Sequence, residues 1–190
     1  MDETATAGQA EVLDFRPHAD MRWEIIHIGD ALEMRNWFGA RAGGPPVHVH
    51  DAAEESFEVV EGRLEVCVGG EWRMLGPGDR AVIAPGVAHT LRGHPELSGT
   101  VVNIHRPALR YAEFFRDFHR LVHTGAVELP PKDPRSLLVF GVLFTTYPDL
   151  QRTVKPPQAL VDVLGRIGHA AGVRVRGGRP GRPTARRAEP

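Results

Sequence analysis

Between Trp23 and His105 the chain never runs far without a turn residue. Short stretches rich in β-branched and aromatic side chains occupy Trp23–Ile28, Leu32–Phe38, Phe57–Val60, Leu64–Val68, Trp72–Leu75, Arg80–Ile83 and Thr100–Ile104. Between them lie Gly43-Gly44-Pro45-Pro46, Glu61-Gly62, Gly69-Gly70 and Gly76-Pro77-Gly78-Asp79. Short strands at this spacing, bounded by turn signals, predict an all-β sandwich or barrel. Gly69-Gly70 predicts a two-residue hairpin, because both positions accept positive φ. The 21 glycines and 16 prolines of the 190-residue chain belong with this density of turns.

After Pro107 the period changes. Leu109, Ala112, Phe115, Phe118 and Leu121/Val122 recur at steps of three and four, which predicts a helix with Gly125 as its stop. A second helix is expected over Ser136–Thr146, before Pro148, and a third over Gln158–His169, after Pro156-Pro157. The pattern divides the chain into a flexible lead-in (1–21), a β-barrel (22–106), a helical region (107–173) and a disordered basic tail (174–190) rich in Arg, Gly and Pro. No internal repeat is visible, so a single barrel is expected. The run Leu137-Leu138-Val139-Phe140-Gly141-Val142-Leu143-Phe144 is apolar on every side of a helix and must be buried. A small barrel has little surface to offer it, so a homodimer is expected, with a membrane-surface contact as the rival.

A formal net charge of -1 gives no reason to expect bulk binding to nucleic acid. Cys67 is the one cysteine, so no disulfide can form within the chain and a reducing compartment is expected. The N-terminus lacks the basic start and apolar run of a signal peptide, and the longest apolar stretch is far short of a membrane span. These features together predict a cytoplasmic protein.

The chemistry concentrates in two segments. On a strand, alternate side chains share a face, so His48 and His50 point the same way with Cα atoms roughly 6–7 Å apart. Two imidazoles so placed can converge on one ion, and Glu55 can return a carboxylate from a neighbouring strand. Imidazole plus carboxylate suits a divalent first-row metal. Glu55 rather than Glu54 is the expected ligand, because counting in twos from Glu55 gives the apolar row Phe57 and Val59. In the second segment the Pro85-Gly86 turn brings His89 back as a third imidazole. Arg35 and Trp37 share a strand face, and His105 shares one with Val101 and Asn103; each either lines the pocket or faces away from it. Tyr111, Phe114, Phe115 and Phe118 are read as helix-packing residues.

These two segments resemble the paired motifs of the cupin superfamily. The first gives His48-x-His50, four residues, Glu55, six residues and Gly62; the second gives Gly78, five residues and Ala84-Pro85-Gly86-Val87-Ala88-His89. The resemblance covers residues 22–106. It departs from the family pattern where the opening glycine is replaced by Ala42, where Pro85 sits one place late, and where the closing asparagine is Gly93. None of these is a ligand position. The resemblance implies a cupin-like β-barrel or jelly roll with one divalent transition-metal ion on His48, His50, Glu55 and His89. Iron is the first expectation, with zinc, manganese, nickel or cobalt as alternatives. Its position inside a concave barrel mouth favours open coordination positions over a closed tetrahedral structural site. The implied function is a metal-dependent enzyme acting on a small organic molecule, an oxygenase-like oxidoreductase of the dioxygenase type first. A non-redox isomerase, cyclase or decarboxylase and a non-catalytic binding or sensor protein are the alternatives.

Overall fold

The computed structural model describes residues 10–175. Residues 1–9 and 176–190 lie outside them, and with them most of the segment read as a basic tail. Among the described residues, eleven strands form two antiparallel sheets. One has the order β1(Glu11–Asp14), β2(Met21–Ile28), β3(Leu32–Phe38), β10(Gly99–Arg106), β5(Glu54–Gly62), β8(Arg80–Ile83). The other has the order β11(Arg152–Lys155), β4(Val47–Val49), β9(His89–Gly93), β6(Leu64–Val68), β7(Glu71–Leu75). Three helices of 13 residues each, α1(Tyr111–His123), α2(Pro134–Thr146) and α3(Gln158–Ala170), follow the main run of strands.

Alternation decides which side of each strand is buried. On β3, Leu32, Met34, Asn36 and Phe38 are buried and Arg35 is exposed. On β10, Gly99, Val101, Asn103 and His105 point inward. On β5, Glu55, Phe57 and Val59 are buried while Glu54, Glu58 and Val60 are exposed, which is the parity the apolar row predicted. Ser56, also buried, is the exception.

Several expectations are corrected. The sheets do not close into a barrel; they form an open jelly-roll sandwich. The chain changes sheet at Gly- and Pro-rich corners, such as Gly43–Pro46 before β4 and Pro85-Gly86 before β9, and such corners interrupt the hydrogen-bond ladder. Glu11–Asp14, inside the segment read as a lead-in, forms β1 on the edge of the larger sheet. Arg152–Lys155, inside the helical region, forms β11 and pairs with β4. The apolar run of α2 is covered in large part by this chain itself. A Cβ on Gly141 would meet the Gly165 backbone nitrogen at 2.6 Å, so α2 and α3 touch backbone to backbone. No helix among the described residues is long and apolar enough to cross a membrane.

Candidate metal centre

β4 and β9 pair with His48 directly opposite His89, and their ring centroids stand 4.3 Å apart. His50 follows β4, and its carbonyl accepts from the backbone N–H of Gly86 at 2.9 Å. Gly86 turns at φ +82, a conformation that favours glycine, so the Pro85-Gly86 corner locks the two sequence segments together. Glu55 arrives from β5 in the facing sheet. The cluster therefore bridges both sheets, with each of the four side chains buried.

One potential ligand atom from each of His48, His50, Glu55 and His89 lies within 4.8 Å of the others. His50 Nε2 is 3.2 Å from His48 Nε2 and 3.1 Å from Glu55 Oε2. His89 Nε2 is 2.7 Å from the same oxygen. The opposite ring nitrogens are spoken for. Nδ1 of His48, His50 and His89 lies 2.9 Å from the carbonyl of Pro46, Leu150 and Val87 respectively. A carbonyl only accepts, so each Nδ1 carries a hydrogen, and a ring in its neutral form turns its Nε2 lone pair inward. Two lone pairs 3.2 Å apart, beside a carboxylate oxygen, repel unless a cation lies among them. This donor set fits a divalent transition ion, and backbone carbonyls fixing the tautomer are the usual outer support of such a site.

The remaining Glu55 oxygen is held apart. Oε1 accepts from Asn103 Nδ2 at 2.9 Å and lies 3.0 Å from His105 Nε2. His105 stands opposite Glu55 in the β10–β5 ladder. Tyr111 Oη donates to the Leu150 carbonyl at 2.8 Å and lies 2.8 Å from His50 Nδ1, bracing that ring from α1. The electrostatics follow from burial and from the carboxylate. Burial opposes ionisation of Glu55, but His105, His50 and His89 outweigh it and hold the carboxyl well below its ordinary value. Desolvation, reinforced by His89, pushes His48 down to about 3. For His89 burial also favours the neutral ring, yet the bond to Glu55 wins and raises it. Desolvation lowers His105 and raises Tyr111.

The cluster lies at the wall of a cavity of about 800 Å³ that His48, His50, Glu55, Asn103 and His105 help to line. His105 thus faces the pocket. Arg35 and Trp37 do not; with Arg22, Glu24 and Thr100 they border a separate hollow of about 250 Å³. The sequence reading missed Asn103 as a partner of Glu55 and gave Tyr111 only a packing role. Parity along β10 would have flagged Asn103, a polar side chain on a face otherwise committed to the core.

A family model described as the cupin domain matches residues 39–104. The quercetin 2,3-dioxygenase of Bacillus subtilis (strain 168) is 36% identical over 64 residues, 34% of this chain. This chain spans only 19% of that relative's length. Among solved structures, KdgF from Halomonas sp. aligns with TM-score 0.47 at 23% identity, covering 55% of this chain and 90% of the other. An RmlC-like cupin from Shewanella frigidimarina aligns with TM-score 0.47 at 25% identity, covering 57% and 93%. At such distances the structural likenesses say nothing of this chain's chemistry. The matched family model spans both motif segments, including all four clustered side chains and the Pro85-Gly86 corner that joins them. The family model thus identifies residues 39–104 of this chain as a cupin domain.

Proposed function

We propose that the chain is a metal-dependent enzyme acting on a small organic molecule, with His48, His50, Glu55 and His89 holding one divalent transition-metal ion. The observation that carries this reading is the convergence of three Nε2 lone pairs and a carboxylate oxygen at the wall of a cavity of ligand size. An ion bound there supplies Lewis acidity and, where it is redox-active, dioxygen chemistry. The protein's own part is positional. The carbonyls of Pro46, Leu150 and Val87 orient the rings. Asn103 and His105 hold one oxygen of Glu55 and leave the other facing the histidines. The cavity admits a substrate against this centre.

Oxygenase-like oxidoreduction with iron is the reading we favour, supported by the local likeness to a dioxygenase. It is tested on protein purified without a chelating tag, by elemental analysis and by dioxygen uptake with a panel of aromatic vicinal diols. Iron at about one per chain together with uptake supports it. Zinc without uptake would replace the oxygenase with a non-redox enzyme. We propose a cytoplasmic setting as well, since Cys67 leaves no disulfide to form within the chain. Self-association into a homodimer is proposed through the exposed row Leu160, Val163 and Ile167 of α3. A clean monomer by light scattering at micromolar concentration would end that part.

A further inference from the structure

Away from the histidines the cavity is walled by aromatic rings. Phe57 lines it from β5, Phe114, Phe115 and Phe118 from α1, and Phe140 and Phe144 from α2. Among the described residues Arg41 is the one arginine or lysine that lines the cavity, and its Nε donates to the Pro95 carbonyl at 3.0 Å. Among the described residues no other cationic side chain beyond the histidines lines the cavity to neutralise a phosphate or sulfonate.

Two buried polar atoms interrupt this apolar wall. Trp23 Nε1, a donor, and Asn36 Oδ1, an acceptor, have no hydrogen-bond partner, and both residues line the cavity. Trp23 is 9% exposed and Asn36 5%. The two stand directly opposite one another in the β2–β3 ladder, where paired Cβ atoms lie roughly 4.5–5.5 Å apart. An unpartnered donor beside an unpartnered acceptor complements one group that does both, a hydroxyl. Leaving each buried and unpaired is costly, so a ligand that supplies the missing bonds gains by it. Their place in the register sets a length. His105 and Glu55 share a row with Leu32, and Asn36 lies four residues further along β3. At about 3.3 Å per residue the rows are roughly 13 Å apart, about the reach of three fused rings.

We infer that the cavity takes an uncharged fused-ring aromatic molecule whose far end carries a hydroxyl read by Trp23 and Asn36. The inference names the substrate class for the proposed metal site and rests on that reading for the orientation of the near end only. The rings stack edge-to-face and offset against the phenylalanines.

The test measures binding to zinc-loaded full-length protein by tryptophan fluorescence and calorimetry. The probes are catechol, 1,2-dihydroxyanthraquinone, 1,2,6-trihydroxyanthraquinone and glucose 6-phosphate. The dihydroxyanthraquinone is expected to bind roughly 50-fold or more tighter than catechol, from the apolar area its extra rings bury. The added 6-hydroxyl is expected to tighten binding a further ~5–10-fold. In Trp23→Phe and Asn36→Leu that last gain should vanish while catechol binding and metal content stay at wild-type levels. If catechol binds as tightly as the anthraquinones, or glucose 6-phosphate binds better than either, the inference is overturned. It is equally overturned if the 6-hydroxyl gain survives in both variants. Metal-free protein separates the two readings. Anthraquinone binding that keeps its dependence on Trp23, but is unchanged by zinc, would uphold the cavity inference and end the metal reading.

Discussion

At the histidine end of the cavity every side-chain nitrogen and oxygen of the four clustered residues has a neighbour within hydrogen-bond range, and His105 Nδ1 behind them is the atom left unpaired; at the aromatic end Trp23 Nε1 and Asn36 Oδ1 both have none. The first end is stiffened from behind, by backbone carbonyls and by Asn103, so that lone pairs point at a common centre. The second end is held by the β2–β3 ladder and by ring packing, with Trp23 edge-on to Phe15 at 4.5 Å and to Phe115 at 5.4 Å. Charge is expensive to bury and must be fixed in advance, while apolar surface is permissive about what fills it. The same cavity thus carries one end suited to an ion and another suited to a carbon skeleton.

The comparison breaks most completely if the carboxylate is neutralised. Glu55→Gln is expected to lower metal affinity by at least ~100-fold, beyond the ~10–100-fold that loss of a supporting partner costs. Glu54→Gln, on the exposed face of β5, should retain metal at the wild-type level. Competition with a coloured chelator measures both, and the reverse result would show that β5 is out of register.

A milder break comes from behind the site. Asn103→Leu removes the 2.9 Å bond to Glu55 Oε1 without touching a clustered residue. Metal affinity is expected to fall ~10–100-fold while binding of a non-chelating aromatic at the other end holds. Equal losses at both ends would mean that the ends are not separable.

Much of the frame is legible in the amino-acid sequence alone. Leu32–Phe38, Leu64–Val68 and Arg80–Ile83 are strands with the very bounds their composition marks, because alternation and flanking turns agree there. That His48, His50, Glu55 and His89 come together was legible because strand parity and spacing constrain them locally. β1 and β11 were not. Each is four residues long with a single fully buried side chain, Leu13 or Thr153, so neither carries an apolar period; each exists by pairing with a neighbour. The partner of Leu137–Phe144 was also hidden. A helix apolar all round announces that it is covered, not by what, and here Gly141, Gly165 and Gly168 let α3 come close enough to do much of it. Asn36 and Trp23 became informative only once the ladder set them side by side.

The smallest expected effect lies remote from both ends and sets the floor for the comparison. Arg116 Nε donates to Glu11 Oε1 at 2.9 Å, tying α1 to the edge strand β1. That bond lowers the Glu11 carboxyl below its ordinary value of 4.5 against a desolvation penalty. A carboxyl depressed in the folded state adds stability above its unfolded value, and the contribution is lost as pH falls through the folded one. Glu11→Gln should therefore cost less than ~1 kcal/mol at pH 7, because the pair is largely solvated, and the gap to wild type should close on acidification below about 4.5. Chemical denaturation at a series of pH values checks this, and a gap that widens with acid would give the wrong sign.

The metal content of the purified chain tests the central claim most directly. Wild type and His89→Ala, expressed side by side without a chelating tag and matched for folding by circular dichroism, are compared by elemental analysis. The convergence of His48, His50, Glu55 and His89 predicts about one transition-metal ion per wild-type chain and a large loss in the variant. Equal metal in the two proteins, or none in wild type grown with iron and zinc supplied, would contradict it.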